Sequence, residues 1–199
     1  MKQNENKKGN ELNISKNSSN RGQYYLTRPV YFVGFMGAGK TSIARKLARS
    51  CSSSALDLDR YITQSQGISP CELIEAYGES GFRDVEEYAL SCVSKLGTQF
   101  VSCGGGIVLR AHNREILKSQ GFVVYIDIDP AEARERISDI SSRPLFGDLN
   151  NAYKIYEERL PLYQQVADIS VSASGKSVGN LAFEIKELLV EAGVVCQKK

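Results

Sequence analysis

The octapeptide Gly34-Phe35-Met36-Gly37-Ala38-Gly39-Lys40-Thr41 follows an apolar run, Val30-Tyr31-Phe32-Val33, and leads into an amphipathic stretch. Residues of these types at this spacing suit one task, the gripping of a polyphosphate. Glycines let backbone N–H groups converge on phosphate oxygens with no Cβ in the way, and the helix that follows turns its positive end to the same anion. Lys40 then reaches the β- and γ-phosphates, and the Thr41 hydroxyl is placed to ligate Mg²⁺. A chance match in a glycine-rich loop would lack the strand before and the helix after, and both are expected here.

A second group of residues suits an anionic, hydroxylated acceptor. Leu56-Asp57-Leu58-Asp59 closes another apolar run with two carboxylates at i and i+2. In an extended chain these share one side, at the C-terminal sheet edge where open α/β sheets place ligands. One carboxylate can hold Mg²⁺, directly or through water; the other can accept a hydrogen bond from an attacking hydroxyl and take its proton. Asp57 is assigned to the metal and Asp59 to the acceptor. Capping of the next helix is the plainer role for one of them, and Asp59 before Arg60-Tyr61-Ile62 suits it.

Arg83, in Gly78-Glu79-Ser80-Gly81-Phe82-Arg83-Asp84-Val85-Glu86-Glu87, stands early on a long helix, where the dipole favours acids. Its guanidinium fork fits a carboxylate ligand with Glu86 or Glu87 holding it, and fits a solvated ion pair equally well. Phe100-Val101-Ser102-Cys103 runs into Gly104-Gly105-Gly106, whose backbone can approach a ligand closely at a strand end. Cys103 has no activating partner nearby in sequence and reads as packing. Arg159, in Glu157-Glu158-Arg159-Leu160-Pro161-Leu162-Tyr163, is explicable by the helix dipole alone. The polar, turn-rich segment 138–148, centred on Arg143, is a candidate lid that excludes water and adds positive charge on closure.

These residues need a scaffold that gathers strand ends, and the chain supplies its pattern. Short apolar runs at 30–34, 54–57, 99–102, 122–127 and 168–172 predict strands. Amphipathic stretches at 40–50, 59–66, 70–77, 79–96, 112–119, 130–138, 150–164 and 178–192 predict helices, with Pro70 and Pro130 at helix starts. The alternation is that of βαβ units, a parallel sheet covered on both faces.

At 199 residues the chain suits one domain with a tail. Of the formal charge of +2, residues 1–23 carry +3 from five basic and two acidic side chains, leaving −1 for residues 24–199. A nearly neutral body argues against general nucleic-acid binding. The first 25 residues, rich in Asn, Ser and Lys, are expected to form a disordered extension, and 26–199 a single domain. Five cysteines without paired spacing read as reduced thiols in a cytoplasmic protein, and the one histidine, His112, reads as a helix-start or surface residue. No apolar run suits a membrane span or a secretory signal.

Taken together, GFMGAGKT, LDLD, GFRDVEE, VSCGGGIV, SRPLF and ERLPLY resemble the shikimate kinase family in order and spacing over roughly residues 30–175. The resemblance implies a P-loop fold of the nucleoside-monophosphate-kinase type, with a five-stranded parallel sheet, flanking helices and a mobile lid over about 138–149. It implies ATP-dependent phosphorylation of the shikimate 3-hydroxyl on the path to chorismate and aromatic amino acids, with Mg²⁺ as cofactor, by a monomer. Gly37, Ala38, Gly39, Lys40, Thr41 and Ser42 would cradle ATP, with Arg136 on adenine and Lys40 and Arg143 neutralising the moving phosphoryl group. Thr41 and Asp57 would organise Mg²⁺. Asp59 would act as base, Arg83 and Arg159 would clamp the acceptor carboxylate, and Gly104, Gly105 and Gly106 would lie close to the ring. Cys103 and the N-terminal extension depart from the family pattern. A kinase for another hydroxy acid, such as gluconate, and a catalytically silent homologue are the competing readings.

Overall fold

A computed structural model describes residues 24–97, 99–137 and 148–198. The expected N-terminal extension up to residue 23, and Arg143 with lid residues 138–147, lie outside the described residues.

The chain runs β1 (Tyr24–Leu26), β2 (Val30–Val33), α1 (Lys40–Ser50), β3 (Ala55–Asp57), α2 (Leu58–Gln66), α3 (Pro70–Val93) and β4 (Phe100–Ser102). A 3₁₀ turn at Ile107–Leu109 precedes α4 (Ala111–Gln120), β5 (Phe122–Asp127), α5 (Pro130–Glu135), α6 (Leu149–Val166), β6 (Ile169–Ser172), α7 (Val178–Glu191) and β7 (Val195–Gln197). Five strands form a parallel sheet in the order β3-β4-β2-β5-β6. All five answer to the predicted apolar runs within a residue or so.

Strand β2 is buried at every position because helices cover both faces of the sheet, and alternate side chains serve different cores. Val30 and Phe32 pack with Ile43 and Leu47 of α1 and Leu181 and Ile185 of α7. Tyr31 and Val33 pack with Ile62 of α2, Leu90 of α3, Leu117 of α4 and Tyr163 of α6. The chain leaves β2 toward one edge of the sheet and, after β4, crosses to the other. The loops after β2 and β4 therefore diverge and open a crevice between neighbouring strand ends.

The two helices expected at 70–77 and 79–96 are the arms of α3, which bends at Gly78 (φ 72°, ψ 173°) and stops at Val93. Ser69 and Glu72 cap its start reciprocally, with Pro70 in the first turn. Helix α5 ends three residues short of the predicted 138, with Arg136 as its C-cap.

One element is new. Tyr24 and Tyr25, assigned from composition to the extension, belong to β1, which pairs antiparallel with β7 near the other end of the chain. Leu26 and Val195, opposite each other in this pair, and the preceding Val194 are buried in the core, each contributing roughly 1.5–3 kcal/mol. Lys186 sits 3.6 Å from the centre of the Tyr24 ring. No described helix is long and apolar enough to cross a membrane.

Candidate active site

The phosphate loop leaves β2 and enters α1 through Gly39, whose left-handed backbone (φ 85°, ψ 11°) is the helix N-cap. That conformation lets the loop fold back so that the first turn of α1 faces the crevice. Lys40, only 8% exposed, donates from Nζ to the carbonyls of Gly34 and Phe35, both at 2.8 Å. The ammonium is thereby held over the loop. Ala38 is buried, while Gly37, Gly39, Lys40, Thr41 and Ser42 line a cleft of about 320 Å³ with Asp57, Asp59, Gly104, Gly105 and Arg136.

Thr41 Oγ1 donates to Asp57 Oδ2 at 2.6 Å and lies 3.0 Å from Ser102 Oγ. Asp57 Oδ1 accepts from the Arg60 N–H at 3.1 Å and caps α2. Capping thus falls to Asp57, not Asp59, because the strand ends at Asp57 and the chain is already helical at Asp59. The carboxylates share the cleft from a strand end and a helix turn, not from one extended segment. The Thr41 hydroxyl, with the Asp57 carboxylate at 2.6 Å and the Ser102 hydroxyl at 3.0 Å, forms a set of hard oxygen donors of the kind Mg²⁺ takes alongside phosphates and waters. Among the described residues no cluster of three or more His, Cys, Asp or Glu could hold a metal, so such an ion would depend on nucleotide oxygens.

The glycine triplet organises the other half of the cleft by leaving room for charged side chains. A Cβ on Gly104 would stand 2.9 Å from both Asp59 Oδ1 and Glu86 Oε1, and one on Gly106 would fall inside the Arg83 guanidinium. At Gly105 the contacts would be ordinary, with Arg159 Nη1 at 3.7 Å. Asp59, Arg83 and Arg159, distant in sequence, therefore meet around one loop, with Glu86 among them.

Arg83 Nη1 donates to Glu86 Oε2 at 2.9 Å and Nη2 to Glu79 Oε1 at 3.0 Å. The Arg83 side chain is 13% exposed and that of Glu86 1%, which removes the solvated-pair alternative. Burial alone would draw the Arg83 pKa down; the charges and hydrogen bonds of Glu86 and Glu79 overcome it and leave it raised. Glu86 is pushed up, chiefly by burial and further by the Asp59 charge, against the pull of Arg83 and Arg159. Its Oε1 has no hydrogen-bond partner among the described residues.

Gly106→Ala is expected to displace Arg83 from Glu86, costing about 1–3 kcal/mol of stability by overpacking and raising the acceptor KM. Urea denaturation and acceptor kinetics check this; an unchanged midpoint and KM would refute the packing argument.

Arg136 Nη2 bonds to Glu132 Oε1 at 2.6 Å and to the Ala173 carbonyl at 2.7 Å. Glu132 in turn accepts from Ser174 and Gly175, so the loop after β6 holds Arg136 at the cleft. Cys103 is buried, and burial first, then the Glu86 charge, raises its thiol pKa; it is packing, not a nucleophile. His112 is an exposed residue in the first turn of α4.

Sequence reasoning left Glu86 and Glu87 open as the partner of Arg83, and missed Ser102 and the α6 tyrosines. Tyr153 donates to Asp129, Tyr156 to Asp127 and Tyr163 to the Gly105 carbonyl. The available signal was helical spacing: Tyr163 stands four residues after Arg159, on the same face.

The shikimate kinase family model matches residues 36–190. A shikimate kinase of Clostridium beijerinckii is 37% identical over 167 residues, 83% of this chain and 97% of that protein. One from Dehalococcoides mccartyi is 35% identical over 162 residues, 80% of this chain and 92% of that protein. Among solved structures, the shikimate kinase from Acinetobacter baumannii in complex with shikimate aligns with a TM-score of 0.79 at 31% identity, covering 83% of this chain and 94% of that one. The architecture is the expected P-loop, nucleoside-monophosphate-kinase-like fold. A gluconokinase from Sinorhizobium meliloti, at 14% identity and a TM-score of 0.54, covers 84% of this chain and 94% of its own and shares the fold alone. With a family match that runs from the phosphate loop into the last helix, and relatives aligned over more than nine-tenths of their own length, the chain belongs to the shikimate kinase family.

Proposed function

We propose that the cleft carries out its family's reaction, ATP-dependent phosphorylation of shikimate, through a specific division of labour. The observation that carries this reading is the meeting of Asp59, Arg83 and Arg159 around one glycine loop beside the phosphate loop. Arg83, held by Glu86, and Arg159 clamp the acceptor carboxylate, which leaves a ring hydroxyl facing Asp59. Asp59 orients that hydroxyl and takes its proton as the phosphoryl group arrives. Lys40 and the loop amides hold the β- and γ-phosphates, and Arg136 contacts adenine. Thr41 and Asp57 would hold Mg²⁺, which supplies positive charge to the phosphate oxygens when bound. Arg143, between α5 and α6 in the sequence, adds positive charge to the moving phosphoryl group. Catalysis is then mainly positioning and electrostatics. The working unit we propose is a single-domain monomer.

The direct test is ADP release from Mg-ATP with shikimate, with gluconate and a nucleoside monophosphate run beside it. Stimulation by shikimate alone is the expected result; stimulation by gluconate would move the assignment to another hydroxy acid, and none by any acceptor would favour a silent homologue. Arg83→Ala is expected to raise the shikimate KM roughly 10- to 100-fold, the worth of a charge-assisted pair, with the ATP KM little changed. An unchanged shikimate KM would remove Arg83 from the clamp.

A further inference from the structure

Helix α6 meets the sheet through tyrosine hydroxyls, and one of them reaches the acceptor loop. Tyr163 is fully buried, its ring stacked on Tyr125 with centroids 5.2 Å apart, and its hydroxyl donates to the Gly105 carbonyl at 2.5 Å. Arg159 stands one turn earlier on α6, its Nη1 beside Gly105 and its charge felt by the Tyr163 hydroxyl. Burial, opposed by the Arg159 charge, pushes the Tyr163 pKa up to about 12, so the phenol keeps its proton and donates at any working pH.

In a planar trans peptide the carbonyl and the following N–H point in opposite directions. Anchoring the Gly105 carbonyl on Tyr163 therefore turns the Gly106 N–H away from α6, and that N–H has no hydrogen-bond partner among the described residues.

We infer that Tyr163 is a positioning residue for the acceptor: its hydroxyl fixes the Gly105–Gly106 peptide so that the Gly106 N–H faces the acceptor, and steadies Arg159 against the same loop. The inference rests on the acceptor reading above. It makes one buried phenol responsible for the relative placement of two donors from different elements, the glycine loop and α6. Without it the loop peptide can rotate, since Gly105 has no side chain to resist.

Tyr163→Phe keeps the ring and removes only the donor. The expected result is a shikimate KM raised about tenfold, with kcat at saturating shikimate and the ATP KM within about twofold of the parent. Tyr156→Phe removes a hydroxyl from the same helix whose partner is Asp127, and should lower stability to a similar degree without moving the shikimate KM. A readout independent of turnover is the backbone amide resonance of Gly106, which should shift in free Tyr163→Phe and stay in place in Tyr156→Phe. An unchanged shikimate KM in Tyr163→Phe of an otherwise active enzyme overturns the inference alone. So does a parallel rise in both KM values that tracks lost stability, which would mark a merely structural role. Parent protein that fails to phosphorylate shikimate overturns the acceptor reading, and an unmoved Gly106 resonance overturns the peptide anchoring in either case.

Discussion

Asp59→Asn should lower kcat by roughly 10²–10⁴, the usual worth of a positioned general base, and leave the protein folded. Asn keeps the size of the side chain and one acceptor oxygen, so a hydroxyl can still be oriented against it. What is lost is the ability to take the proton. The site makes this separation of roles testable because Asp57 is already occupied, receiving the Thr41 hydroxyl on one oxygen and the Arg60 N–H on the other. It cannot stand in as base without giving up the start of α2 or the Thr41 contact. Folding should survive, since the Asp59 charge is one of the things that raises the Glu86 pKa and its removal eases that strain. The shikimate KM should change far less than kcat. Steady-state kinetics decide the matter: kcat retained within about threefold would show that the hydroxyl proton leaves by another route, as a loose phosphoryl-transfer transition state permits, and would reduce Asp59 to a binding group.

What could be read from the residues alone divides along the range of the interactions involved. The phosphate loop and the five strands were legible because their signals are local: glycines at fixed offsets, and apolar runs that a doubly covered parallel sheet requires. The choice between Asp57 and Asp59 as helix cap turned on where β3 stops, which depends on its register with β4, where Asp57 stands opposite Ser102. The choice between Glu86 and Glu87 turned on the rotation of α3 against the core. One residue is a 100° turn, enough to bury Glu86 against Arg83 and to leave Glu87 beside Arg110 at 3.7 Å. Tyr24 and Tyr25 of β1 read as extension for the same kind of reason. Its partner, Val195–Gln197, lies near the other end of the chain, and nothing in the composition of residues 1–25 announces it. The hydroxyl of Tyr163 and the carbonyl of Gly105 are likewise 58 residues apart, so the motif ERLPLY displays the arginine and conceals the anchor.

Lys40→Met is expected to lower kcat by roughly 10²–10³, the scale set by removing one preorganised donor from a developing negative charge. The geometry says why the loss should fall on chemistry more than on folding. The ammonium is tied to the Gly34 and Phe35 carbonyls at 2.8 Å each, and Lys40 is only 8% exposed. Methionine fills a similar volume without a charge to desolvate, so the hydrogen bonds to Gly34 and Phe35 that stability loses are partly offset by the removed cost of burying a cation. For the phosphate oxygens the loss is larger: the loop amides are only dipoles, and without Lys40 the β- and γ-phosphates lose one full charge that the phosphate loop itself would deliver to them. Lys40→Arg should not restore activity, because a planar guanidinium fork does not reproduce the compact ammonium held at 2.8 Å from both carbonyls, and a misplaced charge does not stabilise the transition state. Kinetics of both variants, set beside their thermal midpoints, separate the outcomes. Activity near the parent level in Lys40→Met would mean that the charge on the moving phosphoryl group is neutralised mainly by Arg143 and the metal. A large loss in both variants with midpoints close to the parent would place that work on Lys40, held ready by the carbonyls of its own loop.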